Sequence, residues 1–541
     1  MNDYTRDSLK GISGEAMVEI ILSQQEMIER LNANVESLIE QIRIANSYRF
    51  GKHTEKLDQL FDGQISLFDE AENLADEDLP EPEFEEVVVK RGKKRKGKLD
   101  EDLKDLPEEV IPTHTVPEEK LIGFFGAGNY RKLENEEYRR LQYVPSSWIV
   151  EKHSVEVYVG TGGEHQDEFL RGDRPRDLIP KSIVTHSLGA AIVNGKFVNS
   201  LPLNRIEQEF LRNDIHISRQ TMSNWIICFS EHYFRHLYGK MKEELLKLHV
   251  NQCDETPVQV IRDKSPSGSD KGYMWVHRSG EFYKDKQIVL YEYNKSRAHD
   301  VPLEFYKDFH GVLMTDSLSQ YHLVAKKLEG LTSANCWAHA RRDFADAIKA
   351  IGVKNTEAIK RSTAFRALTR IKAIYELEGS LKALTPEERL EERQKEIRPL
   401  VEEFFTWVRD ALATSLPKGK TAEGLNFCIN QEKYLKVFLE DGEVPIDNSA
   451  SERAIRTFCI GKKNWMFINS VKGANASAVI YSVTESAKLN GLRPYAYLDH
   501  LLTELPKLVD KDGNIEEPSR LDALLPWSKD LPEICYKQRR S

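Results

Sequence analysis

"LHVNQCDETPVQVI", residues 248–261, is the stretch on which the fold reading turns. The chain before it reads as helix; here apolar and β-branched residues gather into a strand-like run bounded by turn residues. Two more such runs follow, "YMWVHR" (273–278) and "KQIVLYEY" (286–293). "AHDVPLEFYKDF" (298–309) then reads as a helix and "HGVLMTD" (310–316) as a buried strand. Strands followed by helix and strand predict a mixed α/β sheet. Two of these runs close on an acid, Asp254 after "HVNQC" and Asp316 after "GVLMT". Ligands of open α/β sheets sit at strand ends, and an apolar strand finishing in a carboxylate needs a partner for the charge.

A third acid stands in "IDNSASERAIRTFCIGKKNWMF" (446–467). Turn residues there lead into a helical run, with Glu452 among Arg453, Arg456, Lys462 and Lys463. Mg²⁺ or Mn²⁺ suits such acids, because hard cations take one or two carboxylates plus substrate phosphates. A pair of ions about 4 Å apart can activate an attacking oxygen and stabilise a leaving one. Flanking cations would hold the phosphodiester. Arg456, four residues after Glu452, shares its helix face and can equally be a plain surface ion pair. Glu255 should point to the strand face opposite Asp254. Asp447 reads either as a ligand or as a turn residue; Asp254 and Glu452 are preferred.

Outward from this core, residues 338–440 read as almost wholly helical, an insertion before the helix of Glu452. Thr385, Pro386 and Glu388 form a capping-box signature inside it. "NASAVIYSVTESAKLNG" (475–491) is a further helix ended by Gly491. In "CWAHARRDF" (336–344), Cys336 and His339 make half a metal site on ligand count, so a supporting role is favoured over zinc. Arg341 and Arg342 are candidates for phosphate contacts.

Upstream, "SLPLNRIEQEFLRNDIHISRQTMSNWII" (200–227) predicts two short helices, the first over about 204–211 and the second after Ser218 as N-cap. This is the layout of a helix-turn-helix, with Arg219, Gln220 and Asn224 near the reading end of the second helix, and equally that of a plain packing pair. Residues 17–42 carry Met17, Ile21, Ile28, Leu31, Val35, Leu38 and Ile42 at heptad spacing. β-branched a positions with Leu at d predict a parallel two-stranded coiled coil, hence a homodimer or higher oligomer. A helix packed within its own chain is the alternative.

The chain has 541 residues and a net charge of -10, but the charge is uneven. Residues 69–86 hold ten acids and no base, and "KRGKKRKGK" (90–98) is almost all basic. Such blocks are solvated linkers or phosphate contacts. At about 100–200 residues per domain, three or four domains are expected. The organisation expected is coiled coil (1–60), linker (61–104), small mixed domain (105–190), helix-turn-helix (191–244), catalytic domain (245–490) and a helical C-terminal region (491–541). No apolar run approaches the ~20 residues of a membrane helix, and no secretory signal is evident. The six cysteines form no CxxC pair, which fits a reducing cytoplasm and argues against a cysteine-rich zinc module. Without thiolates, the 105–190 segment is expected to carry no zinc and to pack on Leu141, Val144, Trp148, Val150, Val155 and Val157.

The sequence resembles the transposases of the insertion-sequence 66 family, of the DDE group, over nearly its whole length. The carriers are "RFGKHTEKL", "SRQTMSNW", "DETPVQV", "TDSLSQYHLV", "CWAHARRDF", "NSASERAIR", "GKKNWMF", "IYSVTESAKLNGLRPYAYL" and "RLDALLPW". The resemblance implies a ribonuclease-H-like catalytic fold with a helical insertion, and Asp254, Asp316 and Glu452 as its acidic triad. It implies metal-dependent cleavage and strand transfer of element ends in the bacterial cytoplasm at the nucleoid, with DNA and accessory transposition proteins as partners. Many relatives carry cysteine pairs where this chain, at about 105–190, has none. The competing readings are a nuclease of the same fold without strand transfer and a catalytically silent dimeric DNA-binding regulator.

Overall fold

The computed structural model describes residues 177–537, except 265–267, 352–355, 415–417 and 511–512, together with 147–159, 168–173 and scattered earlier positions. The chain divides into two units, one of residues 66–174 and one of residues 1–65 with 175–541. Most of the heptad segment, and all of the acidic and basic linker, lie outside the described residues. Val18, Ile21–Gln25, Met27 and Ile28 are helical.

In the 66–174 unit, strands β1 (Val157–Val159) and β2 (Phe169–Arg171) pair antiparallel. Trp148, Val150, Val155 and Val157, expected to be core, are exposed. Leu141 and Val144, also expected there, lie outside the described residues, and a three-residue hairpin exposed along both strands buries little by itself.

The larger unit opens with helices. Helix α1 (His186–Val193) is capped by Thr185, whose hydroxyl accepts from Leu188 N–H. The boundary expected at 190 falls inside this helix. α2 (Leu203–Arg212) and α3 (Arg219–Phe229) follow, and Ser218 caps α3 by accepting from Thr221 N–H at 3.1 Å. α4 (Arg235–Leu246) leads into the sheet.

The sheet has five strands: β3 (Val250–Gln259), β4 (Lys271–Ser279), β5 (Val289–Asn294), β6 (Gly311–Thr315) and β7 (Leu331–Asn335). Their spatial order is β5-β4-β3-β6-β7. β3, β4 and β5 pair antiparallel; β6 and β7 run parallel to β3. Short α5 (Asp300–Phe305) and α6 (Ser319–Lys327) supply the crossovers. Gly311 starts β6 with φ 151°, and a Cβ there would lie 2.1 Å from the His249 carbonyl oxygen. Only glycine tolerates that approach.

The sequence placed Asp254 at a strand end, but β3 runs five residues beyond it, to Gln259. What ends near Asp254 is the partner: β6 pairs with β3 only from Val250 to Gln252. The antiparallel ladder with β4 carries β3 on to Gln259.

The helical insertion is made of α7 (Trp337–Ile351), α8 (Thr356–Arg361), α9 (Thr363–Ser380), α10 (Pro386–Glu392), α11 (Arg398–Thr414) and α12 (Lys420–Leu435). The capping box at Thr385 and Glu388 is formed. These helices share a core around Trp337, Phe344, Phe404, Phe405 and Phe438, which extends to Val250, Val312 and Met314 of the sheet.

The chain returns through α13 (Ser449–Trp465), α14 (Val471–Leu489) and α15 (Pro494–Leu508). With α1–α4 they bury the main core, centred on Phe229, Trp275, Tyr291, Phe458 and Tyr481. α14 closes the open edge of β5: Val289 N–H donates to Ser486 Oγ at 2.9 Å and Tyr291 N–H to Ser482 Oγ at 2.7 Å. An edge strand left unpaired would otherwise template aggregation. Gly491, φ 75°, lies just beyond the end of α14, as the sequence predicts. Among the described residues, no helix is long and apolar enough to cross a membrane.

Candidate active site

Three elements bring the acids towards one place. On β3, side chains alternate. Cys253 and Glu255 face α6, where Cys253 Sγ lies 3.7 Å from Tyr321 Oη and Glu255 accepts from the same hydroxyl. Gln252 and Thr256 face α13, through Asn448 and Cys459. Asp254, between them in the alternation, shares the α13 face. Asp316 follows β6 directly, and the chain then turns through Ser317 at φ 77°. Glu452 stands in the first turn of α13.

Their electrostatics are coupled. Burial holds the Asp254 carboxyl well above its ordinary range, reinforced by the charges of Asp316, Glu255 and Glu452. A hydrogen bond from the Glu255 amide, at 2.7 Å, opposes this. Asp316 is pushed up to about 6 by burial and by Glu255, against the Leu318 amide, Arg297 and Arg342. Glu452 is raised by burial, with Asp447 adding and Arg342, Arg456 and Arg453 opposing. Desolvation and like charge thus act in one direction on all three, and a cation would reverse both effects.

Glu255 and Asp447 are engaged elsewhere. Glu255 accepts from Arg297 Nε at 2.7 Å and Gln320 Nε2 at 3.3 Å. Asp447 accepts from the Ser449 amide at 2.9 Å and from Tyr375 Oη at 3.1 Å. The bond from Ser449 makes a turn just before the helix, while the charge of Asp447 still acts on Glu452.

The basic residues divide into groups. Arg342 lies 3.9 Å from Glu452, and Arg456 and Arg453 act on the same carboxylate through their charge. Arg453 is 3.6 Å from Glu281. Lys462 donates to the Pro257 carbonyl at 2.7 Å, joining the end of α13 to β3, while Lys463 is exposed. Arg341 is half-buried on α7 and acts on Tyr375. Arg219, Gln220 and Asn224 are exposed on α3, with Gln220 donating to Asn224 at 3.0 Å.

Cys336 and His339 sit where β7 passes into α7. Their ligand atoms and that of Glu452 all lie within 4.8 Å of one another. The sequence offered only the two; the fold brings the third.

Several residues that position the site carried no signal of their own. Asn448, fully buried, donates from Nδ2 to the Cys253 carbonyl at 3.0 Å and accepts from Gln252 at 3.3 Å. It pins the start of α13 to β3 beside Asp254. Buried Arg278 donates to the Ala450 carbonyl at 3.0 Å and to Gln287 at 2.7 Å, holding the same helix start from β4. Arg297 was missed because it is a lone arginine in a loop. Asn448 could have been found inside "NSASERAIR", where a polar residue precedes a helix.

The candidate site is thus a mixed sheet with three desolvated acids and arginines beside them. The chain belongs to the IS66 transposase family: the family model described as "Transposase IS66 family" matches residues 181–476, and the IS66 C-terminal element matches 482–527. A third model, described as "Transposase C of IS166 homeodomain", matches 37–111, outside the described fold. Curated relatives include two uncharacterized proteins of Sinorhizobium fredii (strain NBRC 101917 / NGR234). One, y4qI, is 26% identical over 79% of this chain and 76% of its own. The other, y4jD, is 26% identical over 67% of this chain and 70% of its own. Among solved structures, the Drosophila P element transposase strand transfer complex superposes with a TM-score of 0.34 at 9% identity, covering 57% of this chain and 94% of that one. A superposition that loose bears no weight for the chemistry.

Proposed function

We propose that this chain cleaves the ends of an insertion sequence and joins them to target DNA, with Asp254, Asp316 and Glu452 as the catalytic acids of a ribonuclease-H-like domain. What supports this reading is one observation: three carboxylates from β3, the end of β6 and the first turn of α13 are each held above their ordinary range by burial and by charge. A purely structural fold avoids such an arrangement, because each carboxylate loses water beside at least one other acid.

An all-carboxylate donor set fits Mg²⁺ or Mn²⁺, which would supply activation of the attacking oxygen and neutralisation of the leaving one. The chain's own residues do the rest. The Asn448 and Arg278 hydrogen bonds hold α13 against β3 and β4, so Glu452 keeps its place opposite Asp254. Arg342 and Arg453 present cations beside the acids, where phosphate oxygens would lie. Arg297 restrains Glu255 and tempers the charge on Asp316. Two displacements at phosphorus follow at one site, first by water and then by the freed 3′-hydroxyl. Exposed Arg219, Gln220 and Asn224 would read the element ends, with Arg341, Arg456, Lys462 and Lys463 along the DNA path. The heptad segment would pair two chains, and accessory transposition proteins would complete the assembly at the nucleoid.

The test uses the element's own ends with Asp254→Asn, Asp316→Asn and Glu452→Gln. Each should lower cleavage by at least about a thousandfold, ~4 kcal/mol of barrier, while gel-shift binding persists. Near-normal cleavage by any variant would remove that residue from the reaction, and cleavage in EDTA would remove the metal.

A further inference from the structure

Cys336, His339 and Glu452 come from two distant parts of the chain, yet their ligand atoms lie within 4.8 Å of one another. Cys336 is fully buried at the junction of β7 and α7. Its amide donates to the Thr315 carbonyl at 3.1 Å, so the residue is anchored next to Asp316. Its sulfur accepts the Asn448 N–H at 3.1 Å. An amide aimed at sulfur stabilises a thiolate and orients it, the outer-shell support seen around metal-bound cysteine. His339 lies one helical turn on, and its Nδ1 is buried without a hydrogen-bond partner. A buried ring nitrogen left unpaired asks for an explanation, and an absent ion is one. Glu452 closes the set from α13.

The donor types differ from those of the triad. Sulfur, imidazole nitrogen and one carboxylate suit a borderline-soft cation such as Zn²⁺, whereas Mg²⁺ takes oxygen. In a tetrahedral zinc site, ligand atoms stand about 3.3–3.5 Å apart, so closure needs shifts of about an ångström. Three protein ligands leave a fourth position open, as in zinc sites that keep a water.

We propose that Cys336, His339 and Glu452 form a binding site for Zn²⁺ or a cation of the same class, adjoining the acidic triad and sharing Glu452 with it. An ion bound there draws the Glu452 carboxylate towards the thiolate and away from Asp254 and Asp316. Zinc therefore acts as an antagonist of cleavage; that consequence, unlike the site itself, rests on the reading of Glu452 as a catalytic acid.

Cobalt is the probe, because Co²⁺ takes zinc sites and shows a sulfur-to-metal charge-transfer band when a thiolate binds it. The full chain should bind one equivalent with that band, and Zn²⁺ should displace it. Cys336→Ser should abolish the band. His339→Gln and Glu452→Gln should weaken binding by at least about 10–100-fold, the loss known for an outer-shell partner alone. Cys228→Ser, on α3 and outside the set, should leave the spectrum unchanged, as should Asp254→Asn and Asp316→Asn. Absence of the band in the wild-type chain, or its survival in Cys336→Ser, overturns the site. Should Cys336→Ser not fold, undiminished affinity in His339→Gln overturns it equally. The failure of the triad reading is separate: it would appear as cleavage by Asp254→Asn, with the cobalt spectrum intact.

Discussion

Two acids of this molecule, Glu378 (buried) and Asp254 (half-buried), have opposite surroundings. In the helical insertion, Glu378 meets Arg393, and both side chains are almost fully buried. Arg393 donates to both carboxylate oxygens, one at 3.0 Å from Nε, and to the carbonyls of Phe438 and Asp441 at 2.7 and 2.8 Å. At the sheet, Asp254 faces Asp316, Glu255 and Glu452 as repelling charges, with one amide in support. The first acid is complete within the protein. The second is complete only with something the protein must take from outside. Burial alone therefore does not mark function; burial without an internal counter-charge does.

The comparison breaks most easily at the insertion. Glu378→Gln keeps the shape and leaves Arg393 uncompensated, which should destabilise the fold by about 3–5 kcal/mol. Denaturant unfolding measures it, and a loss below about 1 kcal/mol would mean that the carbonyls alone satisfy Arg393. At the sheet the same kind of change should act in the other direction. Asp254→Asn and Asp316→Asn remove a repelling charge, so metal-free variants should melt at or above the wild-type temperature. Mg²⁺ at ten times its dissociation constant should stabilise the wild type by about 1.4 kcal/mol and these variants by far less. Equal stabilisation of wild type and variants would place the ion elsewhere.

A third kind of burial shows itself only at alkaline pH. Lys196, after α1, lies 5.3 Å from the Phe197 ring and 5.7 Å from that of Trp465. The rings favour the ammonium, but loss of water outweighs them and lowers its pKa to about 8 from 10.5. Between those values the unfolded chain binds the extra proton, so stability should rise with pH from about 8 towards 10.5. Below about 8 both states are protonated and the slope vanishes. Subtracting the profile of Lys196→Met isolates this contribution, and parallel profiles would show that Lys196 stays hydrated.

Local signals were legible wherever one residue acts on its own neighbours. Ser218, Thr385 and Gly491 mark helix ends through hydrogen bonds and backbone angles that span only a few residues. The helical insertion was equally plain, because helical periodicity is local. The extent of β3 was not, since the ladder with β4 carries it past Asp254 regardless of what that residue prefers. Nor was the exposure of Val150 and Val157, because an apolar residue is core only where another element covers it.

By itself the sequence determined the family and the helix caps, and it proposed three acids as candidates, since motif chemistry and short-range hydrogen bonding are written in consecutive residues. The tertiary structure alone decided that Arg342, from the distant helix α7, reaches Glu452, and that Asp447 is bonded by Ser449 and Tyr375. It also decided that Glu452 arrives beside Cys336 and His339. Each of these depends on how α7 and α13 pack against one sheet. Contacts between segments so far apart in the chain are set by the shared core, whose hydrophobic burial has no direction that a linear pattern could record.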